Sequence, residues 1–167
     1  HVTCVATDPS LTRAGTPWTF RTLADDQAQG TALVEWLKRR RLSGTIAIIG
    51  ASSRYGRMGA RTFYRLAREA SLEVLEPVTL SEAELHSQIQ ALLQNRPAVV
   101  VVWTLAQDGE RVVRELRAAG FNGRIVGGDG LASPAFFADS RGIADGVVVT
   151  CPYDPTDPIF ENQEFTR

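Results

Sequence analysis

The chain has 167 residues, of which 44% are hydrophobic and 22% are charged, a composition typical of a globular protein with one complete core. Its 18 Lys and Arg residues nearly balance 19 Asp and Glu residues, and the net charge of −1 disfavours nucleic acid or an anionic membrane as a partner. No apolar stretch reaches the ~20 residues that cross a bilayer, and the first residues do not form a secretory leader. Because the sequence begins at His1 without Met, we interpret it as a mature fragment or an excised domain, from which a leader could have been removed.

The predicted elements alternate between helix and strand. Apolar residues at helical spacing predict helices, and β-branched runs predict strands. The predicted helices cover residues 24–41, 56–70, 81–93, 108–119 and 133–139. The predicted strands cover residues 45–50, 72–79, 98–102, 125–128 and 147–151. Ser81 and Glu84 form a capping-box pattern. This alternation predicts an α/β fold, a three-layer sandwich in which helices cover both faces of a mostly parallel central sheet.

Three polar loops follow predicted strands of this sheet, at residues 51–55, 103–108 and 128–130. In an open α/β sheet the carboxyl ends of the strands form the ligand crevice, so these loops are the candidate binding site. They contribute the Ser53 hydroxyl, the Tyr55 and Trp103 rings, and the Asp129 carboxylate between two glycines. The alternative is that Asp129 and Ser53 only cap helices, and that both aromatic residues belong to the core.

Enzymatic patterns are weaker than binding patterns. The loop after residue 50 lacks the Gly-Lys-Ser/Thr of a phosphate-binding loop, and no G-x-G-x-x-G follows a strand. His86 lies inside a predicted helix, facing Glu82 or Gln90, which favours a solvent-exposed histidine over a catalytic one. The adjacent acids Asp25 and Asp26 lie at a helix start and suit capping better than proton transfer.

The two cysteines, Cys4 and Cys151, lie near opposite ends of the chain and have no close Cys or His neighbours. A zinc site is therefore not expected, and neither is a cofactor. In an oxidising compartment the two cysteines could form a disulfide, and two buried free thiols are an equally good interpretation.

Several stretches together carry a family resemblance. They are "ATDPSLTRAGTPWTFRT", "DDQAQGTALVEWL", "IAIIGASSRYGRMGA", "VVRELRAAGFNGRIVGGDGLASP" and "IADGVVVTCPYDP". In this order the chain resembles the type I periplasmic binding proteins, specifically the branched-chain amino-acid-binding group of ABC transporters and related receptor domains. The resemblance implies two α/β lobes that close on a ligand. Residues 1–19 would be the end of the first lobe and a crossover, residues 20–151 the second-lobe binding domain, and residues 152–167 the return crossover, with most of the first lobe missing.

The resemblance also implies roles for individual residues. Thr7 and Val5 resemble positions on the side of the ligand carboxylate, and Tyr55 resembles the aromatic residue that covers the ligand. Asp129 occupies the position of the acid that meets the ligand ammonium group. Trp103 or Leu105 resembles a second aromatic position, and the spacing leaves both alternatives open. Arg54 would contact the other lobe or solvent.

The predicted function is that of a non-enzymatic, extracytoplasmic solute-binding lobe that works by hinge closure. Its ligand would be a small, amino-acid-like solute delivered to a membrane permease, and its location periplasmic or extracellular, with or without a membrane anchor. The alternative is a ligand-sensing domain of a signalling receptor, such as one fused to a kinase. A flavodoxin-like enzyme, whose bound cofactor would absorb light, is a third interpretation.

Overall fold

The computed structural model describes residues 1–15, 17–139, 142–154, 156 and 158. The strands are β1 Val2–Thr3, β2 Phe20–Arg21, β3 Ile46–Gly50, β4 Val78–Thr79, β5 Val99–Trp103, β6 Arg124–Gly127 and β7 Val148–Val149. The α-helices are α1 Ser10–Arg13, α2 Asp26–Arg39, α3 Arg54–Glu69, α4 Leu85–Leu93, α5 Ala106–Ala118 and α6 Pro134–Asp139. Short 3₁₀ turns cover Glu82–Glu84 and Asp129–Leu131.

Five strands form the central sheet in the order β4-β3-β5-β6-β7, and every neighbouring pair is parallel. The chain leaves β3 toward β4 on one side and later returns to β5 on the other side. The strand order therefore reverses between β3 and β5, where an open α/β sheet forms its ligand crevice. A separate parallel pair, β1 with β2, lies in the segment before α2.

Side chains of the central strands alternate between two hydrophobic clusters. On one face, Val101 and Trp103 of β5 pack with residues of α2 and α3, including Leu37 and Phe63. On the other face, Val102 of β5 packs with residues of α4 and α5. Because β5 is buried on both faces, its sequence is an unbroken apolar run rather than an alternating one. The predicted α/β fold with a parallel central sheet is confirmed.

Three details that the sequence predicted for individual side chains are wrong. Ser81 makes no side-chain capping bond, since its backbone N–H instead donates to Oε1 of Gln88 at 3.1 Å. His86 is exposed as predicted, but its ring pairs with Glu115 of α5 rather than with its own helix. Cys4 and Cys151 are free and both are exposed, so the alternative of two buried thiols is also wrong.

Candidate functional site

Two loops from separate strands meet at the carboxyl edge of the sheet. The Tyr55 hydroxyl, at the start of α3, donates to Oδ1 of Asp129, in the turn after β6, at 2.8 Å. The same hydroxyl oxygen accepts the backbone N–H of Gly130 at 2.9 Å. Both of these loops therefore lie at one rim of the sheet, as the sequence predicted, and the phenol fixes the orientation of the carboxylate.

Gly130, the residue after Asp129, is a glycine because the two loops pack closely at this position. A Cβ atom added at Gly130 would lie 2.4 Å from the carbonyl oxygen of Thr104 and 2.9 Å from the Tyr55 hydroxyl. No side chain fits between these two loops. The Gly-Asp-Gly sequence thus allows Tyr55 to reach the acid, which the sequence alone did not indicate.

Tyr55 is a hydrogen-bond donor over the whole physiological pH range. Burial raises the pKa of its phenol well above the ordinary value, and the Asp129 carboxylate raises it further. The phenol thus stays neutral and presents its proton to Asp129. Tyr55 is half-buried, so part of its ring remains available to a solute.

Asp26 is the main ionisable residue that sequence reasoning missed. Asp25 caps α2 as predicted, accepting from the Ala28 N–H at 2.9 Å, but Asp26 points inward and is fully buried. Neither carboxylate oxygen of Asp26 has a hydrogen-bond partner among the described residues. Burial raises the pKa of Asp26 to about 6, and the negative charge of Asp129 adds to this rise.

Gln29 is a second polar residue that the sequence did not single out. It is buried, and its Oε1 accepts from the backbone N–H of Asp129 at 3.1 Å and from the Thr150 hydroxyl at 2.7 Å. The only sequence signal is a polar residue on the apolar face of α2. Such a signal identifies a buried polar group, but it does not identify its partners.

The remaining predicted site residues differ in their environments. Thr7 is buried, its carbonyl accepts the backbone N–H of Asp26 at 2.9 Å, and its hydroxyl has no partner among the described residues. Val5 is 79% exposed in the segment before the lobe. Ser53 is exposed and caps α3 by accepting the Gly56 N–H at 3.2 Å. The capping role that was the alternative for Ser53 is therefore present.

The two residues that are alternatives for the second aromatic position lie in different environments. Trp103 is fully buried in the cluster between the sheet and helices α2 and α3, which leaves none of its surface for a solute. Leu105 is 58% exposed at the start of α5. Exposure therefore favours Leu105, and Trp103 is a core residue that supports the rim from below.

Arg54 joins the rim to the first segment of the chain. Its Nε donates to Oδ2 of Asp8 at 2.8 Å, and a second nitrogen approaches the same oxygen at 2.7 Å. Arg54 and Tyr55 line an open cavity of about 370 Å³ together with Ala6, Thr7 and Asp8. The cavity thus lies between the first segment of the chain and the start of α3, and Tyr55, the partner of Asp129, is part of its lining.

Within the described residues, no group of three His, Cys, Asp or Glu side chains is placed to hold a metal ion. The same part of the chain has no helix that combines the length and the apolar character needed to span a membrane.

Comparison with known proteins places this geometry in a family. A family model described as periplasmic binding protein matches residues 2–167. The Leu/Ile/Val-binding protein BraC3 of Rhizobium johnstonii is 25% identical over 157 residues, which are 93% of this chain and 43% of that protein. The leucine-specific-binding protein of Salmonella typhimurium is 24% identical over 149 residues, 88% of this chain and 40% of that protein.

Solved structures have the same fold. A leucine-binding protein from Thermotoga maritima superposes with a TM-score of 0.86 at 20% identity, covering 97% of this chain and 47% of that one. An ABC transporter substrate-binding protein from Desulfitobacterium hafniense, in complex with Leu, superposes with a TM-score of 0.79 at 18% identity. The superposition covers 98% of this chain and 47% of that one. This chain thus spans less than half of the length of these proteins. The chain belongs to the periplasmic binding protein family and is of the type I, branched-chain amino-acid-binding-like kind that its sequence motifs indicate.

Proposed function

We propose that this chain is the second lobe of an extracytoplasmic binding protein that captures a small amino acid through its ammonium group. The observation that carries the proposal is the Tyr55–Asp129 hydrogen bond at 2.8 Å on the rim of the sheet. It uses one oxygen of the carboxylate and leaves the second for a ligand donor. The names of the relatives, which include Leu/Ile/Val-binding and leucine-specific-binding proteins, support an apolar amino acid as the ligand.

The electrostatics of the rim favour a cation. Asp129 supplies a carboxylate at the surface, and Asp26 supplies a buried one whose oxygens have no partner in the described part of the chain. An ammonium group in a closing, water-poor cleft forms a charge-assisted hydrogen bond with such a carboxylate, and removing one partner there costs roughly 2–5 kcal/mol. The Tyr55 ring adds apolar contact area.

Hinge closure is the proposed mechanism. The contacts of the proposed crossover segment with the lobe include the Arg54–Asp8 ion pair and the hydrogen bond from the Asp26 N–H to the Thr7 carbonyl. Both contacts border the rim cavity, so a ligand held there would touch the lobe and the crossover together. A ligand that bridges two lobes stabilises their closed arrangement by its differential affinity.

Within this proposal, residues 1–19 are the end of the first lobe, residues 20–151 the ligand-binding domain and residues 152–167 the return crossover. The full protein would act outside the cytoplasm, without catalysis, and pass its ligand to the permease of an ABC transporter. The family and the names of the relatives support both inferences.

A ligand screen on the full-length protein tests the proposal. The midpoint of thermal unfolding should rise with an apolar amino acid such as leucine, because a ligand at a hundredfold its Kd adds about 2.7 kcal/mol to stability. Leucine without its amino group, 4-methylpentanoate, should bind much more weakly and should raise the midpoint far less at the same concentration. Asp129→Ala should abolish the rise, whereas Asp145→Ala, at an exposed acid in the turn before β7, should preserve it.

If no amino compound raises the midpoint and a neutral solute does, the proposed ammonium site is wrong. If Asp129→Ala binds leucine as tightly as the wild type, the acid at the rim has no role in binding.

A further inference from the structure

Gln29 connects two separate parts of the lobe through one oxygen atom. Its carboxamide oxygen accepts from the Asp129 backbone N–H at 3.1 Å and from the Thr150 hydroxyl at 2.7 Å. Its amide nitrogen lies 3.5 Å from the Ala24 carbonyl oxygen, just before α2. Because an amide oxygen has two lone pairs, these two donors satisfy it fully.

The two donors belong to functionally different segments. Asp129 is the acid of the proposed binding site, and its side chain is held by Tyr55. Thr150 directly follows β7, and its own backbone N–H donates to the Gly127 carbonyl at 3.0 Å. This bond anchors Thr150 to the sheet at the point where the chain leaves the lobe toward the proposed return crossover.

Gln29 itself lies on a rigid support. It is one turn into α2, whose next turns bury Leu33 and Leu37 in the core and whose start is capped by Asp25. Because the core holds this helix, we expect a displacement of Thr150 to reorient the Gln29 side chain, and with it the hydrogen bond to the Asp129 backbone.

We propose that Gln29 is a positioning residue that couples the orientation of the Asp129 loop to the exit of the chain after β7. The hydrogen bonds run without interruption from Tyr55 through Asp129 and Gln29 to Thr150. Movement of the exit segment during closure then alters the presentation of the acid to the ligand. The consequence for ligand binding rests on the proposed function, whereas the coupling itself exists in the ligand-free protein.

The ligand test compares the full-length wild type with Gln29→Met, which keeps the side-chain volume and removes the acceptor. The ratio of the Kd for 4-methylpentanoate to the Kd for leucine measures how well the acid recognises the amino group. Gln29→Met should lower this ratio roughly tenfold, the effect of losing about one buried hydrogen bond. A purely structural defect would weaken the binding of both ligands equally and leave the ratio of the two Kd values unchanged. An unchanged ratio would therefore overturn the positioning role.

Gln88→Met is the matched control. Gln88 also accepts a backbone N–H, that of Ser81, and donates to the Thr79 carbonyl, but these partners lie at the end of β4 and just after it, at an edge of the sheet. The same substitution there should leave the ratio unchanged. If it lowers the ratio as much as Gln29→Met does, the effect is not specific to the Asp129 loop and the inference fails.

Amide hydrogen exchange tests the coupling without any ligand. Thr150→Val removes only the hydroxyl that fixes one side of the Gln29 oxygen, and it should accelerate exchange of the Asp129 amide about fivefold. Unchanged protection of that amide would overturn the coupling. A wild type that shows no preference for leucine would instead refute the proposed function, and the exchange result would still decide the coupling.

Discussion

Asp26→Asn tests how much the ionised, buried Asp26 carboxylate destabilises the folded protein. The substitution keeps the shape of the side chain and removes its charge. In the unfolded chain the carboxyl has a pKa of 3.8, and in the folded lobe burial raises the pKa to about 6. Between these two values the folded state holds more protons than the unfolded state, so this residue makes stability fall as pH rises from about 4 to about 6.

The size of the expected stability difference follows from the same two pKa values. A rise in pKa from 3.8 to about 6 corresponds to roughly 3 kcal/mol of cost for the ionised carboxylate in the folded state. The cost is complete above the folded pKa and absent below the unfolded pKa. Asp26→Asn should therefore be more stable than the wild type by up to about 3 kcal/mol at pH 7.5, and nearly equal to it close to pH 4.

Urea unfolding of the ligand-free, full-length protein at several pH values between 4 and 7.5 measures this difference. Asp25→Asn is the control, because Asn also caps a helix and the substitution removes only the ion pairs with Arg21 and Arg13. Asp25→Asn should not be more stable than the wild type at pH 7.5. The difference in the free energy of unfolding between Asp26→Asn and the wild type could instead stay constant with pH. In that case, ionising the buried carboxylate does not carry the free-energy cost that we infer.

Further substitutions test the rim and its support. Tyr55→Phe removes the hydroxyl that joins Asp129 to Gly130 and should weaken leucine binding about tenfold in calorimetric titrations; unchanged affinity would contradict the orienting role of the phenol. Gly59→Ala places a Cβ 1.9 Å from Nε1 of buried Trp103 and should lower stability by about 1–3 kcal/mol in urea unfolding; unchanged stability would contradict this close packing. Arg54→Ala removes an exposed ion pair and should change stability by less than about 1 kcal/mol; a larger loss would show that the contact with Asp8 contributes more to folding.

The sequence predicted the fold from local patterns. The β-branched run at 99–102 marked a strand buried on both faces, and the rule that parallel strands end at one edge brought the loops of Tyr55 and Asp129 together. These inferences needed only periodicity and chain order. They succeeded because the local sequence preferences of the central strands and long helices agree with the structure that these segments adopt in the fold.

The buried polar part of the site could not be predicted in this way. Gln29 bonds to partners 100 and 121 residues away, and nothing in its neighbourhood indicates them. Asp26 shares a capping pattern with Asp25, and its burial involves the distant Thr7 segment, whose carbonyl accepts the Asp26 N–H. For Trp103 and Leu105, the point at which β5 ends decides which side chain faces the core.

A crystal structure of the full-length protein with leucine bound tests the central claim most directly. The account predicts the ligand in the rim cavity, with its ammonium nitrogen about 3 Å from the Asp129 carboxylate and the Tyr55 hydroxyl still bonded to that acid. Leucine bound with its carboxylate or its side chain against Asp129, or bound away from this rim, would contradict it.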